Sequence, residues 1–259
     1  MQSIFGNDDN IAGFLLDQQV TASEEDENDE GFYPMKEYHK IQTVFKRDPA
    51  NRNKTLLEGD FSLPEFKYLN NNQWVFTEKV DGTNIRIQIV DKNIVFGGKT
   101  DNAQIPAFLV QKLSERFCTV EQKQKLIEAF PDGGCLYGEG YGLKIQKVGS
   151  LYIPNGVDFV LFDVKVGDWW LERGSVEKVG SSLDVPVVPI IGRGTLNDMV
   201  NLARKGFQSQ WGEFSAEGIV ARPEVELKTR SGHRIITKIK HKDFLTTQQE
   251  RNHAKRASE

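Results

Sequence analysis

Cysteine is scarce in this chain. Cys118 and Cys135 are the only two in 259 residues, and their spacing is not that of a metal-binding pair. A disulfide-stapled scaffold is therefore not expected; the two read as reduced thiols in a cytosolic protein, a single disulfide being the alternative. Histidine is also sparse. The four are scattered at His39, His233, His241 and His253, which argues against a His-based metal site. No apolar run approaches the ~20 residues that a membrane-spanning helix needs. The N-terminus has no basic stretch followed by an apolar one, so no secretory signal is expected. The sequence also lacks a His-Glu-x-x-His pair, a Walker-type loop, a nucleophilic serine elbow and an internal repeat.

Positive charge is missing from residues 1–34. They hold nine acids (Asp8, Asp9, Asp17, Glu24, Glu25, Asp26, Glu27, Asp29, Glu30) and no Lys or Arg. Nine of the 37 acids lie there, so the other 225 residues carry 28 acids against 33 Lys and Arg; the net charge of -4 conceals a body of +5. A mildly basic body can serve a polyanion, although total charge does not by itself show that it does. Residues 1–34 read as an acidic extension, with a short helix over 11–16 and disorder over 23–31, where like charges repel and nothing can be buried. A solvated tail is the plain reading, and an arm that mimics nucleic acid or docks on the basic body the functional one. The folded body is expected over 35–247, followed by a fraying polar tail over 248–259.

What the chain does have is a lysine in a distinctive setting, Thr77-Glu78-Lys79-Val80-Asp81-Gly82-Thr83-Asn84. It lies between the apolar run Trp74-Val75-Phe76 and the alternating run Ile85 to Val90, which reads as a half-buried strand. Lys79 would thus sit on a short connection, with a carboxylate two residues on and a Gly that lets the backbone turn. A nucleophilic amine needs its neutral form within reach, which burial and neighbouring cations favour. A turn lysine beside an ordinary Asp-Gly hairpin signal is the plainer reading of these residues alone.

Other segments read in chain order. Residues 41–45 suggest a strand and 46–54 a basic, turn-rich loop; Pro64, Phe66, Tyr68 and Leu69 are candidates to cover one edge of a pocket. Asp91-Lys92-Asn93 makes a turn into a second strand over 94–96, which would carry Lys99 back towards Lys79. Helices are expected over 106–117, with Phe108, Leu109, Leu113 and Phe117 on one side, and over 120–130. Tyr137-Gly138-Glu139-Gly140-Tyr141-Gly142 allows close backbone approach to a ligand, or is merely glycine-rich. Phe162-Asp163 sets an aromatic face beside a carboxylate on the apolar run 157–166. An α/β insert spans 171–214, with a strand over 185–191 and a helix over 197–205. Glu217 enters a strand, and Lys238 and Lys240, two apart on another, project from one face. Two ammonium groups side by side repel unless an anion lies between them; a solvated strand face is the alternative.

Taken together and in this order, these segments resemble the covalent nucleotidyltransferase superfamily, the ATP-dependent RNA and DNA ligases and mRNA capping enzymes, over about residues 40–245. Lys79-Val80-Asp81-Gly82-Thr83-Asn84 is similar to the nucleotidyl-lysine motif and Tyr137-Gly138-Glu139-Gly140 to the ribose-contacting motif. Phe162-Asp163 is similar to the base-stacking motif, Glu217-Gly218-Ile219-Val220 to the metal-linked acidic motif, and Lys238-Ile239-Lys240 to the final phosphate-contacting motif. Glu78 and Asn84 favour the nick-sealing RNA ligase branch. Two departures stand out: Asp81 where that branch often has His, and Lys99 where the next motif usually has Arg, whose bidentate fork a lysine cannot form.

The resemblance implies an α+β nucleotidyltransferase (ATP-grasp-like ligase) fold, antiparallel sheets flanked by helices around a nucleotide pocket. It implies an ATP-dependent RNA ligase: a lysyl-AMP forms on Lys79, an RNA 5′-phosphate is adenylated, and a 3′-hydroxyl then attacks. Lys238 and Lys240 would act on the α-phosphate, Phe162 would stack on adenine, Glu139 would bind ribose, and Glu78 would lie near the base edge. Asn84 and Lys99 would face the phosphate or acceptor side, and Asp81, Gly82 and Asp163 would orient their neighbours. Glu217 would hold Mg²⁺ or Mn²⁺. Expected partners are RNA ends, with no membrane; a monomer in the cytoplasm is expected, and an accessory RNA-binding protein is left open. The sequence ends soon after Lys240, so a catalytic domain standing alone is expected. A GTP-using guanylyltransferase, a DNA ligase-like enzyme and a catalytically silent nucleotide- or RNA-end-binding module are the alternatives.

Overall fold

The computed structural model describes residues 37–245, so the expectations for 1–34 and for the tail over 248–259 lie outside the described residues. In chain order the elements are β1 (Gln42–Thr43), β2 (Phe45–Arg47), β3 (Leu56–Phe61), α1 (Pro64–Tyr68), β4 (Trp74–Lys79), β5 (Thr83–Val90), β6 (Asn93–Gly97), α2 (Ala107–Phe117) and α3 (Val120–Ala129). There follow β7 (Gly134–Gly142), α4 (Gly149–Tyr152), β8 (Val157–Val166), β9 (Trp169–Trp170), α5 (Arg173–Ser182), β10 (Ile190–Gly194), α6 (Leu196–Lys205), β11 (Gly218–Pro223) and β12 (Thr237–Lys240). This is an α+β fold whose two five-stranded sheets are largely antiparallel, β1 against β12 being a parallel pair.

The chain divides into two compact units. The first, here the lysine unit, comprises His39–Gly82, Tyr141–Gly156 and the chain from Val188 onward. Its sheet runs β1-β12-β11-β4-β10, with β4 held between β11 and β10. Trp74, Val75, Phe76, Thr77 and Glu78 are all buried, as a central strand covered on both faces requires. The core joins Trp74, Phe76, Ile219, Ala221 and Ile239 of the sheet to Phe66 of α1 and to Leu196, Met199, Val200 and Ala203 of α6. That apolar face of α6 follows the helical period. Its start is a capping box, with Thr195 and Asp198 exchanging bonds. Phe66 packs edge-on against Trp74, while Tyr68 is 87% exposed, so the segment over 64–69 is a core helix rather than a pocket edge.

The second, the hairpin unit, comprises Thr83–Gly140 and Val157–Val187, with Tyr38. Its sheet runs β6-β5-β7-β8-β9. Asp91 and Lys92 both take left-handed backbone angles (φ 47 and 59), which makes the tight turn from β5 into β6. Helix α2 buries Leu109, Leu113 and Phe117, with Phe117 edge-on to Phe159 of β8. Phe108, expected on the same side, is 41% exposed. Strand β5 is not half-buried as its alternation suggests: Arg86 and Gln88 are buried along with Ile85, Ile87 and Ile89, so side chains on both of its faces are covered. Both cysteines are free thiols, and burial pushes the Cys135 thiol up to about 11.

Candidate active site

Strand register builds the centre of the lysine unit. Gly218 of β11 pairs with Lys79 on one side and with Lys240 on the other, so three strands set the two lysines in one row. Glu217, immediately before Gly218, reaches both: its Oε2 lies 2.6 Å from Lys79 Nζ and its Oε1 2.5 Å from Lys240 Nζ. A Cβ at position 218 would meet the Ile239 carbonyl oxygen, so the close approach of β11 and β12 depends on that glycine. Lys238, opposite Val220, shares the face of Lys240; both are half-buried, while Thr237 and Ile239, which alternate with them, are buried.

Burial pushes the Glu217 carboxyl up, but the two ammonium groups outweigh it and hold the group below the ordinary carboxylate range. Asp81 moves the other way. Burial and then the Glu217 charge raise it, against the lowering by Lys79, Lys240 and Lys242. The lysines thus settle negative charge on Glu217 and leave Asp81 the more readily protonated carboxyl.

Lys79 closes β4, and Val80 to Gly82 form the link to β5. These two strands belong to different sheets, so Asp81-Gly82 is not a hairpin turn. The link is held from residues the sequence does not single out. The Asp81 N–H donates to the Tyr152 hydroxyl at 3.1 Å, and Gln146 Nε2 donates to the Gly82 carbonyl at 2.9 Å. Tyr152 sits edge-on to Tyr141, Trp211 and Phe214. Glu78, 1% exposed, is fully engaged: Ser209 Oγ donates to its Oε1 at 2.6 Å and the Gln210 N–H to its Oε2 at 2.8 Å. The residue expected near a base edge therefore pins the loop over 208–215 to the strand of Lys79. Burial raises its carboxyl, and the two hydrogen bonds offset part of that. These partners lie more than 60 residues from the link or from Glu78, so no local pattern signals them.

The remaining candidates lie in the hairpin unit. Asn84 and Glu139 are direct cross-strand partners on β5 and β7 and share one face of that sheet. Asn84 Oδ1 is buried with no hydrogen-bond partner among the described residues, an acceptor available to a ligand donor. Lys99 is exposed in the bend after β6. Arg86 fixes that bend, its Nε donating to the Gly98 carbonyl at 2.7 Å and its Nη2 to Asp101 at 2.9 Å. Phe162 is half-buried on β8 with Tyr38 edge-on at 5.0 Å, and Asp163, fully buried, accepts from the Tyr38 hydroxyl at 2.5 Å. The glycines around Glu139 serve packing: a Cβ on Gly138 would enter the Phe159 ring, and one on Gly140 would come to 2.5 Å from Leu109 Cδ2.

Among the described residues no three His, Cys, Asp or Glu side chains cluster as a metal site. Glu217, once parted from one of its lysines, fits Mg²⁺ or Mn²⁺ of the kind held by one protein oxygen, waters and substrate phosphates. No helix among the described residues is long and apolar enough to cross a membrane.

Comparison with solved structures finds the same fold in the Naegleria gruberi RNA ligase. A glutamate-to-alanine variant with ATP and Mn superposes with a TM-score of 0.57 at 19% identity, covering 80% of this chain and 57% of that one. A lysine-to-methionine variant with AMP and Mn gives 0.54 at 18%, covering 77% and 56%. The form with PPi gives 0.54 at 19%, covering 84% and 61%. The chain thus spans little more than half the length of those structures. No curated protein matches it. The RNA ligase family profile matches residues 72–240, a span that runs from just before Lys79 to Lys240 and takes in every candidate above. By that match, over more than half its length, the chain belongs to the RNA ligase family.

Proposed function

We propose that this protein is an ATP-dependent RNA ligase that carries AMP on Lys79. The observation that carries the reading is the shared carboxylate: Glu217 holds Lys79 Nζ at 2.6 Å and Lys240 Nζ at 2.5 Å. A neighbouring carboxylate favours the charged amine. Attack therefore needs the Lys79–Glu217 pair to part and Lys79 to shed a proton, and the grip of Lys240 on the same carboxylate gives Glu217 an alternative partner. The neutral amine then attacks the α-phosphorus of ATP. The Nζ–P bond forms, the bond from phosphorus to the bridging oxygen breaks, and pyrophosphate leaves. Lys238 and Lys240 neutralise charge that builds on the α-phosphate. In the second step an RNA 5′-phosphate oxygen attacks the same phosphorus and Lys79 departs. In the third a 3′-hydroxyl attacks the activated 5′-phosphorus, a phosphodiester forms and AMP leaves. Mg²⁺ or Mn²⁺, held by Glu217 and phosphate oxygens, would supply further charge neutralisation at the reacting phosphate.

Phe162 offers a half-buried ring face for adenine, and the Asn84–Glu139 pair offers acceptors for sugar hydroxyls. Lys99 serves a phosphate as a point charge. Glu78, Tyr152 and Gln146 position Lys79 and its link. The free thiols and the use of ATP suit a cytoplasmic enzyme, which we take to act as a monomer.

The test is to incubate the protein with Mg²⁺ and α-labelled ATP or GTP, then with RNA bearing a 5′-phosphate beside a 3′-hydroxyl. Label on the denatured protein from ATP, passed on to RNA and followed by sealing, is the expected result. Label from GTP alone would indicate guanylyl transfer, and no label from either, in folded protein, a silent binding module.

A further inference from the structure

Two lysines that the reaction does not use stand beside the nucleophile's own turn. Residues 143–148 (Leu-Lys-Ile-Gln-Lys-Val) form the stretch that leaves β7, and Gln146 in their midst donates to the Gly82 carbonyl, three residues beyond Lys79. Lys144 and Lys147 flank Gln146 and are both exposed. Lys144 stands at φ 66, a left-handed conformation that favours Gly or Asn. No Asp or Glu occurs from Gly140 to Gly156.

The same turn faces a third exposed cation, Lys242, whose charge acts on Asp81. Of the acids of this neighbourhood, Glu217 is engaged by Lys79 and Lys240, Asp243 by Arg47, and Glu78 by Ser209 and Gln210, while Asp81 lies in the link itself and feels Lys79, Lys240 and Lys242. Glu213, on the loop over 208–215, is exposed. Among the described residues, the solvent side of the turn is therefore edged with the exposed cations Lys144, Lys147 and Lys242, at the point where the proposed reaction needs a phosphodiester strand.

We propose that residues 143–148 form a phosphate grip for the RNA strand, with Lys144 and Lys147 contacting its backbone in company with Lys242. The proposal rests on the RNA ligase reading above and adds where the chain holds its substrate. Backbone contacts of this kind carry no sequence information, so the grip would serve RNA ends of any sequence.

The test compares wild type with a Lys144→Gln/Lys147→Gln double variant, which removes the charge and keeps a polar, unbranched side chain at the left-handed position. A Lys147→Glu variant gives a second reading. RNA binding is titrated against salt with a 5′-phosphorylated single strand; lysine labelling from ATP, a step that RNA does not enter, is followed in parallel. Losing two phosphate contacts should make the log–log salt slope shallower by about 1.4. The RNA concentration for half-maximal sealing should rise, in protein that still takes label. An unchanged salt slope and RNA requirement would overturn the grip. So would a raised ATP requirement with RNA binding intact, which would assign the two lysines to the phosphates of ATP. Absence of label in the wild type itself would count against the ligase reading, and the salt slopes would still decide whether 143–148 hold RNA.

Discussion

At the scale of single residues, the charge triad of Lys79, Glu217 and Lys240 is the centre of the proposed site. Removing the carboxylate charge by Glu217→Gln leaves two ammonium groups facing each other with a neutral amide between them. Because these side chains are only 11–23% exposed, the expected cost is about 1.5–3 kcal/mol, with loss of lysine labelling. The pH dependence has a definite sign. The Glu217 carboxyl is held below its ordinary value, so its contribution is complete above the unfolded carboxylate range of ~4.3 and is lost as pH falls through the lowered folded value. Denaturant unfolding of wild type and variant should show a constant gap at neutral pH that closes in acid.

Glu78 answers to a different rule, since both its oxygens accept bonds from the loop over 208–215. Glu78→Ala should lose about 1–3 kcal/mol through the orphaned Ser209 and Gln210 donors. Glu78→Gln, which keeps one acceptor oxygen, should lose less and retain labelling. Equal losses in the two variants, by the same unfolding measurement, would show that the loop does not depend on those bonds.

At the scale of elements, glycine is the agent that sets strand separation. Gly218→Ala pushes a methyl into the Ile239 carbonyl and Gly138→Ala into the Phe159 ring, and each should cost about 1–3 kcal/mol. Only Gly218→Ala should also depress labelling, because only it moves Glu217 away from its row between the lysines. Elements were legible in the sequence where period and punctuation agree. The turn at Asp91-Lys92, helices α2, α3 and α6, and the lysine pair of β12 all stand where the pattern puts them. The strand expected over 185–191 begins instead at Ile190, because Pro186 and Pro189 remove ladder donors from an otherwise apolar run. Helix α5, with Gly174 and Gly180 and three serines, has weak helix propensity and gives no clear helical signal in the sequence. The candidate residues of the proposed site stand out in the sequence as motifs. Their holders, Tyr152, Gln146, Ser209 and Arg86, do not, since long-range hydrogen bonds leave no periodic trace.

At the scale of the whole molecule, the candidates are shared out by topology: Lys79, Glu217, Lys238 and Lys240 in one unit, Asn84, Lys99, Glu139 and Phe162 in the other. The chain passes between the units at Tyr38, Gly82, Gly140, Gly156 and Val187, so neither is one continuous stretch and no composition shift marks a boundary. Charge is divided along the chain as well. Deleting residues 1–34 changes the formal net charge from -4 to +5, which should strengthen RNA binding at low salt, with the difference fading as salt rises. A titration showing equal affinity at low salt would mean that the acidic segment does not oppose RNA.

The central claim is that Lys79 carries the nucleotide. The most direct measurement is peptide mapping by mass spectrometry after incubation with ATP and Mg²⁺, under conditions that preserve a phosphoramidate. The expected result is the mass of AMP on the peptide containing Lys79, absent from Lys79→Ala and retained in Lys144→Gln/Lys147→Gln. AMP on Lys240 or Lys238, or undiminished label in Lys79→Ala, would contradict it.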